Sequence, residues 1–169
     1  MTAPEFEVTT DEGDILPFAS LYAEGPFALI FLRHLGCILC LQHVRDRARH
    51  PELPVVFVSR SSPEETRRFH ERMNSPHRFL SDPEGKLHAH FGIARGGYGQ
   101  IFNAHTLKAG MKAVFSGLSL GRPESDPMEL GGAFVIDRRG EVTWEQRAKD
   151  AADNVSAETI ATELGKVEA

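Results

Sequence analysis

The sequence predicts an α/β protein in which a central mixed β-sheet is flanked by helices. Three observations predict this. Ala28 to Arg33 and Pro54 to Arg60 are apolar almost throughout, as strands covered on both faces are. A segment of helical character follows each of them. Late in the chain, Gly132 to Asp137 and Glu141 to Arg147 flank Arg138-Arg139-Gly140, the pattern of an antiparallel hairpin.

The elements follow in order. Phe6 to Tyr22 alternates short apolar stretches with Asp-Glu-Gly-Asp and a proline, which predicts a small hairpin within an N-terminal β extension, residues 1–25. After the first central strand, Leu39 to Arg49 reads as a helix that buries Leu41, Val44 and Ala48 and stops near Pro51. After the second, Ser62-Pro63-Glu64-Glu65 supplies an N-cap, a proline at the first helical position and a glutamate three residues after the cap, and Thr66 to Met73 continues the helix. Arg78 to Asp82 is a short strand, Asp82-Pro83-Glu84-Gly85 a turn, and Lys86 to Phe91 a short helix ending at Gly92.

Residues 96–131 form an insertion before the last hairpin. Within it Leu107, Met111, Val114 and Phe115 fall at helical spacing, and Gly117 ends that helix. A loop, Ser119 to Leu130, follows. The insertion is either a cover for the active site or an ordinary packed helix with a surface loop. Ser156 caps a last helix running toward Leu164. The order β-α-β-α, a connection, then β-β-α is thioredoxin topology, and residues 1–169 are expected to form one such domain.

Composition narrows the function classes. A net charge of −5 and a pI near 5.9 argue against partners such as nucleic acid or an anionic membrane surface. Basic residues do cluster (Arg45, Arg47, Arg49; Arg67, Arg68, Arg72), but acids interleave with them, so they read as solvated helix faces. Met1 to Phe18 carries five acids, unlike a signal or transit peptide. No apolar run reaches the ~20 residues of a membrane span. Two cysteines in such a chain fit a cytoplasmic protein whose pair stays reduced until it reacts.

Cys37 and Cys40, the only cysteines, carry the chemistry. A buried strand ends in Gly36 and a C-x-x-C, and the helix after it places both sulfurs on its first turn. There the unpaired backbone N–H groups and the positive dipole end favour thiolate over thiol. A strand–CxxC–helix is a thiol–disulfide signal. Arg33 and His34 sit at the strand's exit, where either can partner the sulfurs. His43 is one turn beyond Cys40 and reads as a partly buried helix residue. His50, His70, His77, His88, His90 and His105 read as scattered surface residues. The spacing His34-x-x-Cys37-x-x-Cys40-x-x-His43 also admits a metal or iron–sulfur reading on Cys37, Cys40 and His43, completed by His34 or across a dimer. A non-catalytic thiol switch is the third reading.

Four stretches carry a family resemblance: Phe31-Leu-Arg-His-Leu-Gly-Cys-Ile-Leu-Cys40; Ser81-Asp-Pro-Glu-Gly-Lys-Leu87 with Phe91-Gly92; Leu130-Gly-Gly-Ala-Phe-Val-Ile-Asp137; and Arg147-Ala-Lys-Asp-Ala-Ala-Asp153. From Pro26 onward the chain resembles the peroxiredoxin-like branch, related to selenoprotein L, of the alkyl hydroperoxide reductase / thiol-specific antioxidant superfamily. The resemblance implies a thioredoxin-fold, cofactor-free thiol oxidoreductase or peroxidase. It would cycle a Cys37–Cys40 disulfide against a peroxide or disulfide substrate. It implies a thioredoxin-like or low-molecular-weight thiol reductant as partner, and it is compatible with a homodimer. Typical peroxiredoxins place a Pro seven residues before the peroxidatic Cys, a Thr or Ser three before it, and an Arg at the opening of a later strand. With Cys40 as the peroxidatic residue those positions are Arg33, Cys37 and Gly131. The thioredoxin arrangement makes Cys37, the cap residue, the nucleophile and Cys40 the resolving thiol; the peroxiredoxin arrangement reverses them. Both assignments stand at this point, with the dipole favouring Cys37.

Overall fold

The computed structural model describes residues 1–117 and 128–168. In chain order the elements are β1 (Glu7–Thr10), β2 (Ile15–Pro17), α1 (Ala19–Ala23), β3 (Phe27–Phe31), α2 (Ile38–Ala48), β4 (Val55–Ser59), α3 (Pro63–Met73), β5 (Arg78–Ser81), α4 (Lys86–His90), α5 (Tyr98–Ile101), α6 (Ala104–Phe115), β6 (Gly132–Ile136), β7 (Val142–Arg147) and α7 (Ala157–Glu168). The strands make one sheet in the order β2-β1-β5-β4-β3-β6-β7. Its centre is parallel: β3 beside β4 and β4 beside β5. The hairpin β1–β2 adds antiparallel at one edge, and β6–β7 at the other. The N-terminal hairpin, the two central strands and the late hairpin stand where the sequence places them.

β3 is apolar at every position because both its faces are covered. Ala28 and Ile30 point into a layer with Val44 of α2, Phe69 of α3, Ala113 of α6 and Ile160 of α7. Phe27, Leu29 and Phe31 point the other way, toward Phe18, Leu21, Phe91 and Phe134. Each of the larger ones, the leucines, isoleucines, valine and phenylalanines, contributes roughly 1.5–3 kcal/mol when taken out of water. The aromatic layer is continuous, with Phe91 5.4 Å from Phe31 and 4.8 Å from Phe134, ring centre to ring centre. It holds the end of β3 that leads into the cysteine motif.

Helix starts follow the local signals. Ser62 and Glu65 form a reciprocal capping box, with Pro63 opening α3, and the Asn103 side chain caps α6 through the Thr106 N–H at 2.8 Å. α6 ends at Ser116, and the following Gly117 has a φ of +85°. The short α5 has no sequence signal of its own, being four residues long. The expected loop Ser119 to Leu130 lies outside the described residues except for Met128 to Leu130.

Three expectations need correction. Arg47 is not on a solvated face: it is buried on α2 together with His43, while Ala48 is only half-buried. His77 and His88 are buried, not superficial. Each is accommodated because a ring nitrogen finds a partner: His77 Nε2 meets the Arg47 carbonyl at 2.9 Å, and His88 Nδ1 meets the Asp82 carboxylate at 2.7 Å. His70, half-buried, likewise spans the Asp11 carboxylate and the Ser75 carbonyl. Among the described residues no helix is long and apolar enough to cross a membrane.

Gly131, just before β6, is where two segments of the backbone approach closely near the site. A Cβ built there falls 2.8 Å from the carbonyl oxygen of Phe31, which is backbone and has nowhere to go. Gly131→Ala is therefore expected to part β3 from β6 and cost roughly 1–3 kcal/mol, read as a lower urea midpoint. A variant as stable as the parent would mean that this edge yields freely.

Candidate active site

β3 ends at Phe31, and Leu32 continues its direction by donating its N–H to the Val58 carbonyl at 2.9 Å. The chain then turns through Arg33 to Gly36 and enters α2 with Cys37 as its N-cap, φ −74° and ψ 121°. The turn is fixed by Cys37 N–H donating to the His34 carbonyl at 3.0 Å, and the helix by Leu41 N–H donating to the Cys37 carbonyl at 3.0 Å. Cys37 and Cys40 lie side by side as free thiols, both buried.

The two sulfurs differ in environment. The Cys40 thiol donates to the Cys37 sulfur, the largest influence holding Cys37 down to about 6. Burial opposes it, while the Arg33 guanidinium and the N–H groups of Cys40 and Leu39 add to it. Neither N–H makes a formed cap hydrogen bond to the sulfur; they act through the field of the helix start. Cys40 is pushed well above the usual thiol range, first by that same hydrogen bond, then by burial and the neighbouring Cys37. One sulfur is the thiolate at neutral pH and the other carries the shared proton.

Arg33 is the cation at the site. Its NH1 lies 3.3 Å from Cys37 Sγ, and its Nε donates to the Glu129 carbonyl at 2.8 Å. The side chain is buried. His34 lies beside it but is neutral, its pKa lowered to about 4 by burial and then by Arg33's charge; its Nδ1 is buried without a hydrogen-bond partner. An imidazolium is therefore not what stabilises the thiolate. His43 is also neutral, pushed to about 3 by burial, and packs edge-on against Phe57 at 6.2 Å. Cys37, Cys40 and His43 do not converge: among the described residues no group of three or more His, Cys, Asp or Glu side chains is placed to hold a metal ion.

Cys37 forms part of the floor of a groove of about 1070 Å³ whose far wall is α5, Phe102 and α6. Leu107, Met111, Val114 and Phe115 of α6 are exposed along this wall, as is Phe102. α6 thus borders the cysteine motif: it packs Ala113 into the core, while Leu107, Met111, Val114 and Phe115 stay exposed toward the groove. Arg33 and His34 line the groove at the sulfur.

Two polar residues of this region carry no sequence signal that singles them out, Glu129 and Arg60. Glu129 is buried and its Oε1 accepts from Arg60 NH1 at 2.5 Å. The available clue was topological. Arg33 follows β3 and Arg60 follows β4, two parallel strands in register Phe31↔Val58, so both arginines leave the same end of the sheet, where α/β proteins build their sites.

Reactivity should follow the Cys37 titration. With the folded value about 6, below the ordinary 9.0, the thiolate is present above pH 6 and lost as pH falls through it. Alkylation of the reduced protein by iodoacetamide is expected to rise between pH 5 and 7 and then level, with Cys37 labelled first by peptide mass. A midpoint near 9 would place an ordinary thiol there.

Residues 42–150 match the model of the AhpC/TSA antioxidant enzyme family, well over half of the chain, beginning just beyond Cys40. The human protein Peroxiredoxin-like 2C is 20% identical over 95% of this chain and 78% of its own. Among solved structures, the peroxidoxin BcpB of Mycobacterium tuberculosis superposes with a TM-score of 0.71 at 19% identity, covering 100% of this chain and 97% of that one. A thiol peroxidase from Chromobacterium violaceum superposes with a TM-score of 0.62 at 16% identity, covering 100% and 87%. The chain has the thioredoxin-type fold of these peroxiredoxins and belongs to the AhpC/TSA antioxidant enzyme family.

Proposed function

We propose that this protein is a thiol peroxidase in which Cys37 is the attacking thiolate and Cys40 the resolving thiol, acting on hydroperoxides that carry an apolar organic group. The observation that carries this reading is the Arg33 guanidinium 3.3 Å from a Cys37 sulfur whose pKa is about 6, at the floor of an apolar groove. The sulfur is the nucleophile and the guanidinium a donor for peroxide oxygens as the O–O bond breaks.

The Cys37 thiolate attacks the terminal oxygen of ROOH. The O–O bond breaks, the sulfur is oxidised by two electrons to a sulfenic acid, and the organic oxygen leaves as ROH after gaining a proton. The Cys40 sulfur then attacks the Cys37 sulfur, water leaves, and a Cys37–Cys40 disulfide closes within one helical turn. A thioredoxin-like dithiol or a small thiol supplies the two electrons that reopen it. Arg33 stabilises charge on sulfur and then on the departing oxygen. Neutral His34 sits beside it as a hydrogen-bonding group. Burial of Cys37 at the groove floor favours a slim peroxide end over a protein disulfide as the partner that Cys37 attacks, and the apolar wall of α6 suits the organic remainder.

Serine variants separate the roles. Cys37→Ser is expected to abolish peroxide consumption, while Cys40→Ser completes a single turnover and leaves a sulfenic acid on Cys37 that dimedone traps, seen by intact mass. A trapped sulfenic acid on Cys40 in the Cys37→Ser protein would reverse the assignment. Met111→Glu in the groove wall is expected to lower kcat/KM for cumene hydroperoxide by at least tenfold while leaving hydrogen peroxide within twofold.

A further inference from the structure

Arg33 is effective only if its guanidinium is aimed at sulfur, and part of that aiming comes from outside its own segment. Its Nε is held by the backbone carbonyl of Glu129, 96 residues away in the chain. Glu129 in turn is fixed by two independent sets of contacts. Its backbone neighbours pair with the segment before α5: Gly96 N–H donates to the Met128 carbonyl at 2.6 Å and Leu130 N–H to the Ala94 carbonyl at 3.1 Å. Its buried carboxylate is gripped by Arg60 at 2.5 Å.

Arg60 has a prepared place. Its guanidinium lies against Gly85, where a Cβ would fall 2.8 Å from the guanidinium carbon, and Gly85 has a φ of +73°. The turn after β5 is thus bare where Arg60 crosses it. A carboxylate taken out of water is costly unless paired, and Glu129 Oε2 has no hydrogen-bond partner of its own. Arg60 is the partner that retains this acid in the interior.

We infer that Glu129 and Arg60 are positioning residues of the active site: the Arg60–Glu129 ion pair holds the Glu129 carbonyl, which aims Arg33 at Cys37. The inference rests on Arg33 being the partner of the Cys37 thiolate, as in the proposed function. It predicts that cutting the pair at a distance from the sulfur weakens the thiolate. Among the described residues lining the groove with Cys37, the other titratable ones are Arg33 and His34; on the helix side the sulfur faces Cys40. These are the groups through which any change must be read.

The test is the Cys37 titration, followed by the pH dependence of iodoacetamide alkylation in the reduced full-length protein, which needs no peroxide and is separate from any test of substrate. Glu129→Leu keeps the site apolar and removes the grip. It is expected to raise the Cys37 midpoint by about one pH unit, a tenfold shift toward thiol at fixed pH. Glu129→Gln, which still offers Arg60 an oxygen, should recover most of the parent value. The sign is diagnostic, because loss of a nearby negative charge acting only through space would lower the midpoint. Arg60→Leu cuts the same pair from its half-exposed end, raises the midpoint likewise, and serves if Glu129→Leu does not fold. In an Arg33→Gln background neither substitution should move the titration further. An unchanged or lowered midpoint in Glu129→Leu, or an Arg60→Leu effect that persists without Arg33, would overturn the inference and leave the backbone pairing with 94–96 as what holds the carbonyl.

Discussion

The contact between Arg33 and the Cys37 sulfur imposes the constraint that the rest of the molecule meets. A thiolate wants water, and this one lies almost wholly out of it. Burial raises a thiol's pKa, so charge on Cys37 persists only if nearby groups more than offset that cost. The structure supplies three: the proton of Cys40, the guanidinium of Arg33 and the N–H groups at the start of α2. All three must be held within a few ångströms of one atom. That requirement explains why the two cysteines sit at the end of a central strand sheathed by aromatic rings, and not on a free loop.

Parallel strands make such convergence inexpensive in chain length. β3 and β4 both end on the same side of the sheet, so Arg33, Arg60 and the N-terminus of α2 arrive there without any long excursion. β6 runs antiparallel and begins there, which brings Glu129 in from the other direction. Charged side chains that are far apart in sequence are therefore neighbours by topology. The interior tolerates them as a linked set: Arg60 on Glu129, the Glu129 carbonyl on Arg33, Arg33 on sulfur. Removing one member strands another in a medium where an unpaired charge is costly.

The sequence made much of this legible, for reasons that differ by residue. Apolar runs of five or more residues can be read as central strands because covering both faces leaves no polar position, and β3 and β4 are such runs. The cap chemistry of Ser62 and the C-x-x-C at a strand's end are local, and local signals survive without knowledge of the fold. The buried polar residues were not legible. His77, His88 and Arg47 stand in charged, hydrophilic stretches, and only tertiary contacts decide that each points inward. Glu129 was hidden for the same reason, since a lone acid before a glycine pair resembles any loop residue until Arg60 is seen beside it. The apolar spacing on α6 was readable as helix but not as groove, because periodicity reports a face and not what lies opposite it.

Gly131 decides which segment supplies the cation. In typical peroxiredoxins the cation at the sulfur comes from the strand that β6 represents, with the arginine at its opening. Here a side chain at that position is disfavoured, since even a methyl group would press on the Phe31 carbonyl unless β3 and β6 moved apart. The close approach that disfavours an arginine at the opening of β6 also brings β6 against the end of β3, two residues before Arg33. The cation is thereby transferred to the same segment as its sulfur, four residues away. A distance that would otherwise depend on the docking of two remote strands is set largely by one short turn. The remote strand still contributes, but through a carbonyl oxygen, which any residue at 129 would provide. What is particular to glutamate there is the carboxylate that Arg60 grips, and so the specificity of this arrangement lies one contact further from the sulfur than the arginine that touches it.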